Sequence, residues 1–376
     1  MKVDALIKNT NVKSCIECGK CTSNCPVSRF NHQFSPRLLL STFFQNSSDH
    51  FLEDDRIWSC LTCGMCQVRC PSDVQFSEFI KRVRKEAFTN GREATCSHGG
   101  ALQSLMKIMI SENLKQNRLE WLTDDLKIAD TSETLFFVGC APYFDVFFTE
   151  LEINSLAPVK SSIHLLNSMG IEPVLLKNER CCGHDLLWSG DLEHYQRLAQ
   201  ENINEINKIK PKRVVFSCAE CYRTFKIDYP ALLGPLDFEM VHITEFLDKN
   251  LGDRIRFHEH EVSVTYQDPC RLGRHMGIYD APRNVMNAIP GLQLLEMQKN
   301  RQNAMCCGTN SWINCDTYSR MIQHDRLQTA KKTGAEYLIT SCPKCYIHFT
   351  CAMQGDYPEK INIKDIAVLA AEAMES

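Results

Sequence analysis

The sequence predicts an α/β protein: a helix-rich N-terminal domain, then two duplicated parallel-sheet domains. Three observations carry that expectation. One four-cysteine run occurs twice within the first 71 residues. From Leu135 onward a second cysteine pattern is written twice, in the same order and at similar gaps, the mark of a duplicated unit. Around that pattern short apolar runs alternate with amphipathic ones, which implies strand–helix–strand units and a parallel sheet.

The chain has 376 residues, enough for two or three domains. Its charged fraction of 23% and hydrophobic fraction of 44% are those of a soluble globular protein. A net charge of −4 argues against a nucleic-acid partner. No apolar run reaches the length of a membrane span. "MKVDALIKNTNVKSC" lacks the apolar core of a secretory signal, so the expected location is cytoplasmic. Twenty-one cysteines in such a chain point to metal rather than to disulfides.

The first domain is expected over residues 1–95. "CIECGKCTSNCP" supplies Cys15, Cys18, Cys21 and Cys25, and "CLTCGMCQVRCP" supplies Cys60, Cys63, Cys66 and Cys70. Both read C-x2-C-x2-C-x3-C-P, the bacterial ferredoxin run, in which the fourth cysteine serves the other cluster. That rule assigns Cys15, Cys18, Cys21 and Cys70 to one cubane [4Fe–4S] cluster, and Cys60, Cys63, Cys66 and Cys25 to a second. Structural zinc prefers thiolates in separated pairs, so two complete runs favour iron–sulfur. "PRLLLSTFFQN" reads as a helix. In "SEFIKRVRKEAF" the residues Phe79, Ile80, Val83 and Ala87 share one helical face, and Lys81, Arg82, Arg84 and Lys85 are expected on a solvated face. Residues 96–134 read as a connector, with Cys96 a bystander.

The repeated unit is expected over residues 135–255 and again over 256–376. The first copy carries Cys140 in "LFFVGC", Cys181 and Cys182 in "ERCCG", and Cys218 and Cys221 in "VVFSCAEC". The second carries Cys270 in "VTYQDPC", Cys306 and Cys307 in "AMCCG", and Cys342 and Cys345 in "LITSCPKC". "TLFFVG", "IEPVLL" and "KRVVFS" are the expected strands of the first copy, and "VSVTYQ", "LQLLEM" and "EYLITS" those of the second. The cysteines follow the carboxyl ends of these strands, the edge where open α/β sheets bind ligands. Five thiols per copy admit three readings. Disulfides or plain burial clash with the reduced thiolates of the first domain. Zinc would leave one cysteine spare in both copies. A single iron–sulfur cluster of unusual shape uses all five, and is favoured.

With eighteen cysteines in place, the chain resembles the heterodisulfide reductase family, whose cysteine-rich "CCG" domains carry these motifs. Residues 1–95 are similar to its small two-cluster subunit, and 135–351 to its catalytic subunit, here fused. Glycerol-3-phosphate dehydrogenase and lactate-utilisation subunits share the layout, but often with an incomplete first CCG copy. The resemblance implies two noncubane [4Fe–4S] clusters, one on Cys140, Cys181, Cys182, Cys218 and Cys221, the other on Cys270, Cys306, Cys307, Cys342 and Cys345. It implies reduction of a (hetero)disulfide between them, such as that of coenzymes M and B, by electrons passed through the two cubanes. It implies a hetero-oligomeric complex, with electrons from a flavoprotein subunit or from a membrane cytochrome that would hold the chain at a membrane. No flavin or nucleotide fingerprint is present. The competing expectation is a non-catalytic electron-transfer subunit of a larger anaerobic complex, of aromatic-acyl-CoA reductase, sulfur-metabolism or flavin-bifurcating type.

One departure stands out. The family's catalytic subunit commonly has histidine after the first cysteine of the second copy, whereas "DPCRLGRHMG" has Arg271. Arg271 and Arg274 are therefore candidates for holding an anionic substrate, and His275 for delivering a proton, with His184 behind them. Gly183 is expected where the backbone turns past a cluster. Cys315 and Cys351, outside both motif sets, read as structural. The tail "INIKDIAVLAAEAM" reads as a helix.

Overall fold

Seven short parallel strands in two sheets organise the computed structural model, which describes residues 3–45, 51–355 and 357–374. The first sheet has β1 (Thr134–Phe137), β2 (Arg213–Phe216) and β3 (Glu239–His242), in the order β1-β2-β3. The second has β4 (Val262–Tyr266), β5 (Leu292–Leu294), β6 (Tyr337–Thr340) and β7 (Asn362–Asp365), in the order β5-β4-β6-β7. Leu135 pairs with Val214 in one sheet and Thr265 with Leu338 in the other. Apolar β-branched and aromatic residues fill the central strands, as they must when both sheet faces are covered.

The alternation of side chains along each strand decides what covers which face. Phe136 and Val215 join Val264 and Ile339 in one apolar core. Leu135, Phe137 and Val214 instead join Phe79, Ile80 and Val83 of the N-terminal domain. Helix Ala157–Ser168 packs on helix Ile366–Glu372, so the chain's last helix covers the first half, and the two copies share their interior.

Two expected elements differ. "IEPVLL" is reduced to one bridge, Val174 to Leu135, although its counterpart forms β5. Pro173 has no N–H for a ladder, and its carbonyl accepts from Ala129 of the connector. The tail is not all helix: Asn362–Asp365 forms β7, and Asp365 then caps helix Ile366–Glu372, accepting from the Ala367 N–H at 2.9 Å.

In the N-terminal domain helix Pro36–Gln45 lies where expected, its last predicted residue, Asn46, being outside the described residues. Helix Phe76–Thr89 buries Phe79, Ile80, Val83 and Ala87 completely. Arg84 corrects the expectation of a solvated basic face. It sits one turn after Ile80, on the buried side, and donates to the carbonyls of Ile57, Trp58, Cys60 and Trp188. Gly190 makes this docking possible: it has φ +100°, and a Cβ there would stand 2.3 Å from the Arg84 carbonyl oxygen.

Candidate metal centres

Gly19 and Gly64, both at φ +76°, turn the chain into the short helices Lys20–Asn24 and Met65–Val68. Each turn gathers its run's cysteines, those of the second run more deeply buried than those of the first. Cys15, Cys18, Cys21 and Cys70 line one cavity, with Cys66 on its wall. Cys25 faces Cys60 and Cys63, and Cys66 lies among Cys60, Cys63, Cys25 and Cys21. Each run thus sends its fourth cysteine to the other. Burial pushes Cys25 up to about 12 and Cys60 up to about 11. Thiols so reluctant to ionise are suited to a cationic metal core that offsets their charge. The backbone N–H of Thr62 points at Cys60 Sγ (3.3 Å) and that of Val74 at Cys70 Sγ (3.4 Å).

Cys140 follows β1, Cys181 and Cys182 follow the Val174 bridge, and Cys218 and Cys221 follow β2. All five line a single cavity. Their side chains meet in the order Cys140–Cys181–Cys182–Cys221–Cys218. The second copy repeats that order, as Cys270–Cys306–Cys307–Cys345–Cys342. Every cysteine of the chain is a free thiol. Five soft donors converging in a buried cradle fit a thiolate-bound iron–sulfur group, and exceed the four that structural zinc takes. The cradle is tight: at Gly139 (φ +70°) a Cβ would stand 3.2 Å from Cys221 Sγ. Gly183 turns the chain where expected, and its N–H points at Cys181 Sγ (3.4 Å). Its φ is +78°, and an added Cβ would meet the Tyr195 ring at 2.8 Å rather than a cysteine. Its twin Gly308 (φ +88°) would meet the Ser319 carbonyl oxygen at 2.8 Å. Both glycines let the following helix close over the site.

Glu220 and Lys344 occupy the same place in "CAEC" and "CPKC", and pair with each other at 2.7 Å. Lys344 also pairs with Asp185. His184 Nδ1 lies 3.0 Å from Asp185 Oδ1, and its Nε2 accepts from Arg271 Nε at 2.9 Å. Burial works against the Asp185 carboxylate, but Lys344 and His184 outweigh it and hold its pKa well below the usual range. Burial also works against the Lys344 ammonium, and its two carboxylates outweigh it. The trio His184, Asp185 and Glu220 has the compactness of a cation site, with ligand atoms within 4.8 Å, but Lys344 already takes both carboxylates.

Arg271 and Arg274 do not face open space. Arg271 donates to the Thr62 carbonyl (2.9 Å), Thr62 Oγ1 (2.8 Å) and Asn310 Oδ1 (3.0 Å), and its guanidinium lies 4.1 Å from the Trp188 ring centre. Arg274 Nε donates to the Cys63 carbonyl at 2.6 Å and its NH1 to the Ala304 carbonyl. His275 Nε2 lies 2.9 Å from the Thr62 carbonyl oxygen, and burial with Arg271 keeps its pKa well below ordinary, hence neutral. The three bases clamp the Thr62–Cys63 loop onto the second copy. There the Cys63 side chain meets Cys306, a contact that pulls the Cys63 pKa below its ordinary value against burial. Sequence reasoning missed Asp185, Glu220, Lys344 and His348, the last 3.7 Å from Cys307 Sγ. The opposite charges at one repeated position of the C-x-x-C motifs were the available signal for two of them.

Comparison with known proteins agrees with this layout. A cysteine-rich domain family (CCG) matches residues 134–226 and 264–350, and a 4Fe-4S dicluster domain family matches residues 11–74. The chain is 34% identical over 272 residues to one subunit of the dihydromethanophenazine:CoB–CoM heterodisulfide reductase of Methanosarcina barkeri. That match covers 69% of this chain and 63% of the relative, so the chain spans less than two thirds of the relative's length. It is 29% identical over 256 residues to an EtfAB:quinone oxidoreductase of Syntrophomonas wolfei (65% and 34% covered). It is 24% identical over 371 residues to one subunit of a fumarate reductase (CoM/CoB) of Methanothermobacter marburgensis (95% and 70% covered). A hypothetical protein from Helicobacter pylori shares the fold, with TM-score 0.60 at 13% identity over 91% of this chain and 66% of that one.

Proposed function

This chain belongs to the heterodisulfide reductase family of iron–sulfur proteins, and we propose that it is the subunit that carries electrons to a disulfide and reduces it. The observation that carries the reading is the meeting of Cys63 with Cys306. It lays the dicluster domain directly against the second five-cysteine set. In this reading Cys15, Cys18, Cys21 and Cys70 hold one cubane, Cys60, Cys63, Cys66 and Cys25 another, and each five-cysteine set holds one noncubane cluster. When bound, the clusters supply one-electron carriers and soft iron with affinity for sulfur.

The chain's own residues do the placing. Arg271, Arg274 and His275 fix the Thr62–Cys63 loop against Cys270 and Cys306, acting as positioning residues. Arg271 is fully buried, so this junction is closed to water, where charges act more strongly. Lys344 offsets Asp185 and Glu220 beside the first set. The net reaction is RS–SR′ + 2 e⁻ + 2 H⁺ → RSH + R′SH, and a partner subunit supplies the electrons, either a flavoprotein or a membrane cytochrome. In this reading the subunit is cytoplasmic and meets a membrane only through that partner; among the described residues no helix is long and apolar enough to cross a membrane.

The test is anaerobic oxidation of reduced methyl viologen by the iron-replete chain, with a disulfide present. The expected result is viologen oxidation that yields two thiols per two viologens. An intact, iron-replete chain that reduces no disulfide would make it an electron carrier alone.

A further inference from the structure

The two five-cysteine sets offer the same thiols in the same order. What separates them electrically is the charge around each. Beside the first set the charges balance. Arg118 pairs with Glu179 at 2.6 Å, and Lys344 pairs with Asp185 and Glu220. Arg180, next to Cys181 and 6% exposed, is a third cation, so three cations meet three carboxylates. Arg223 and Lys81, packed on Trp188, are matched by Asp228 and Glu78.

The second set has no such balance. Arg283 takes both oxygens of Asp268, at 2.8 and 3.0 Å, and Glu296 as well. Arg271, Arg274 and Arg326 are left with neutral acceptors: Thr62 and Asn310, the Cys63 and Ala304 carbonyls, and Gln267 with the Lys299 carbonyl. Four guanidiniums therefore meet two carboxylates. Arg271 is 2% exposed and Arg326 0%, and a buried cation without a counter-ion is costly. The thiolates are the anions within reach. The charges of Arg271 and Arg274 act on Cys270, and that of Arg326 acts on Cys345. In the first copy it is Asp185 that acts on Cys140 and Cys181. His348 Nδ1 also lies 3.7 Å from Cys307 Sγ, at a position where the first copy has Thr224.

We propose that the excess arginines make the second set the electron trap of the pair, reduced before the first. The inference rests on the reading that each set holds one iron–sulfur cluster. With matched ligands, net charge, hydrogen bonding and exposure set the order of reduction. Buried cations without carboxylates stabilise an added electron, and a site already balanced by Asp185 and Glu220 does so less. The step transfers one electron: an oxidised cluster takes it from the dicluster domain, no bond forms or breaks, and no proton is taken up. Cys63 meets Cys306, so the trap lies where electrons arrive. The pair then holds its first electron beside the dicluster domain and its second on the set lined by Asp185 and Glu220.

The experiment is a redox titration of the anaerobic holoprotein, read by electron paramagnetic resonance. Cys140→Ser and Cys307→Ser assign the signals, each deleting that of its own set. The second set's signal should appear at the higher potential. Arg326→Gln should weaken its reduction equilibrium about tenfold, a midpoint lowered by ~59 mV for one electron, and leave the first set's midpoint in place. Arg326→Lys, which keeps the charge, should hold the wild-type midpoint. Asp185→Asn should raise the first set's midpoint and narrow the gap. Should Arg326→Gln load no iron at the second set, Asp185→Asn carries the same test from the other side. Reduction of the first set before the second, or midpoints unmoved by both charge-removing variants, would overturn the order. A loss in Arg326→Lys as large as in Arg326→Gln would overturn the role of charge. About eight irons per chain, with dicluster signals alone, would overturn the cluster reading instead.

Discussion

The two five-cysteine sets are one motif in two settings. In the first, the thiols share a cavity of about 30 Å³ with Asp185, Glu220 and Lys344, and the ion pairs fill what room there is. In the second, Cys307 lies behind His348 at the end of a cavity of about 440 Å³, and Cys306 meets the dicluster cysteine Cys63. The cysteine positions were duplicated; the residues between them diverged. Ala141 became Arg271, His184 became Thr309, and Glu220 faces its own counterpart, Lys344. Cysteine spacing repeats the cradle, and the residues beside each cysteine give each copy its own surroundings.

The sharpest break in that comparison comes from the cysteines. Cys307→Ser should lose viologen-linked disulfide reduction, by at least 100-fold, together with about a quarter of the iron, one [4Fe–4S] in four. Cys140→Ser should lose a similar share of iron yet leave the second site's electron paramagnetic resonance signal in place. Equal loss of both sites' signals in either variant would mean that the halves do not load independently.

Lys344→Met should cost about 3–5 kcal/mol in anaerobic denaturant unfolding, because it takes the ammonium from Asp185 and Glu220 and leaves them only His184. Adding Glu220→Gln should recover part of that loss. No recovery would show that the pair between the duplicated positions is not a coupled unit.

Much of this was legible in the sequence, and the reasons are local. Cysteine spacing lies along the chain, so the runs and both five-cysteine sets could be read directly, as could the fully buried face Phe79–Ile80–Val83–Ala87. What was hidden depends on long-range contacts. Arg84 reads as a surface base, and only packing against Trp58 and Trp188 shows it as a bolt between domains. Arg271 and Arg274 read as substrate ligands, because nothing local says that Thr62 and Cys63, some 210 residues earlier, take their donors. β7 was masked by the apolar helix that follows it.

Gly139→Ala is a smaller probe of the first cradle. The positive φ alone costs about 1–2 kcal/mol, and the new Cβ presses on Cys221 Sγ. First-site iron should fall while the second site stays loaded; a variant with full iron in both would show that the cradle has slack.

The smallest effect concerns the caps at the ends of β3 and β7. His242 and Asp365 cap equivalent helices, yet titrate in opposite senses. Burial lowers His242 to about 3 and raises Asp365 to about 7, with Tyr266 and Tyr346 as the ionisable groups facing Asp365. A carboxyl whose folded pKa is raised contributes stability below its unfolded value, and that contribution is lost as pH climbs through 7. A depressed histidine has the reverse dependence, losing stability as pH falls below its unfolded value. Asp365→Asn should therefore remove the destabilisation that develops between about pH 4 and 7, where the unfolded carboxyl ionises and the folded one does not, read as a flatter thermal midpoint against pH. An unchanged slope between about pH 4 and 7 would show that Asp365 ionises in the fold as it does in the unfolded chain.

The most direct test of the whole account is the metal content of the anaerobically purified chain, with iron, zinc and acid-labile sulfide counted per polypeptide. Four four-iron clusters predict about sixteen irons, matched by sulfide and without zinc. About eight irons, or zinc in place of the remainder, would mean that only the ferredoxin runs hold clusters and that the two five-cysteine sets do something else.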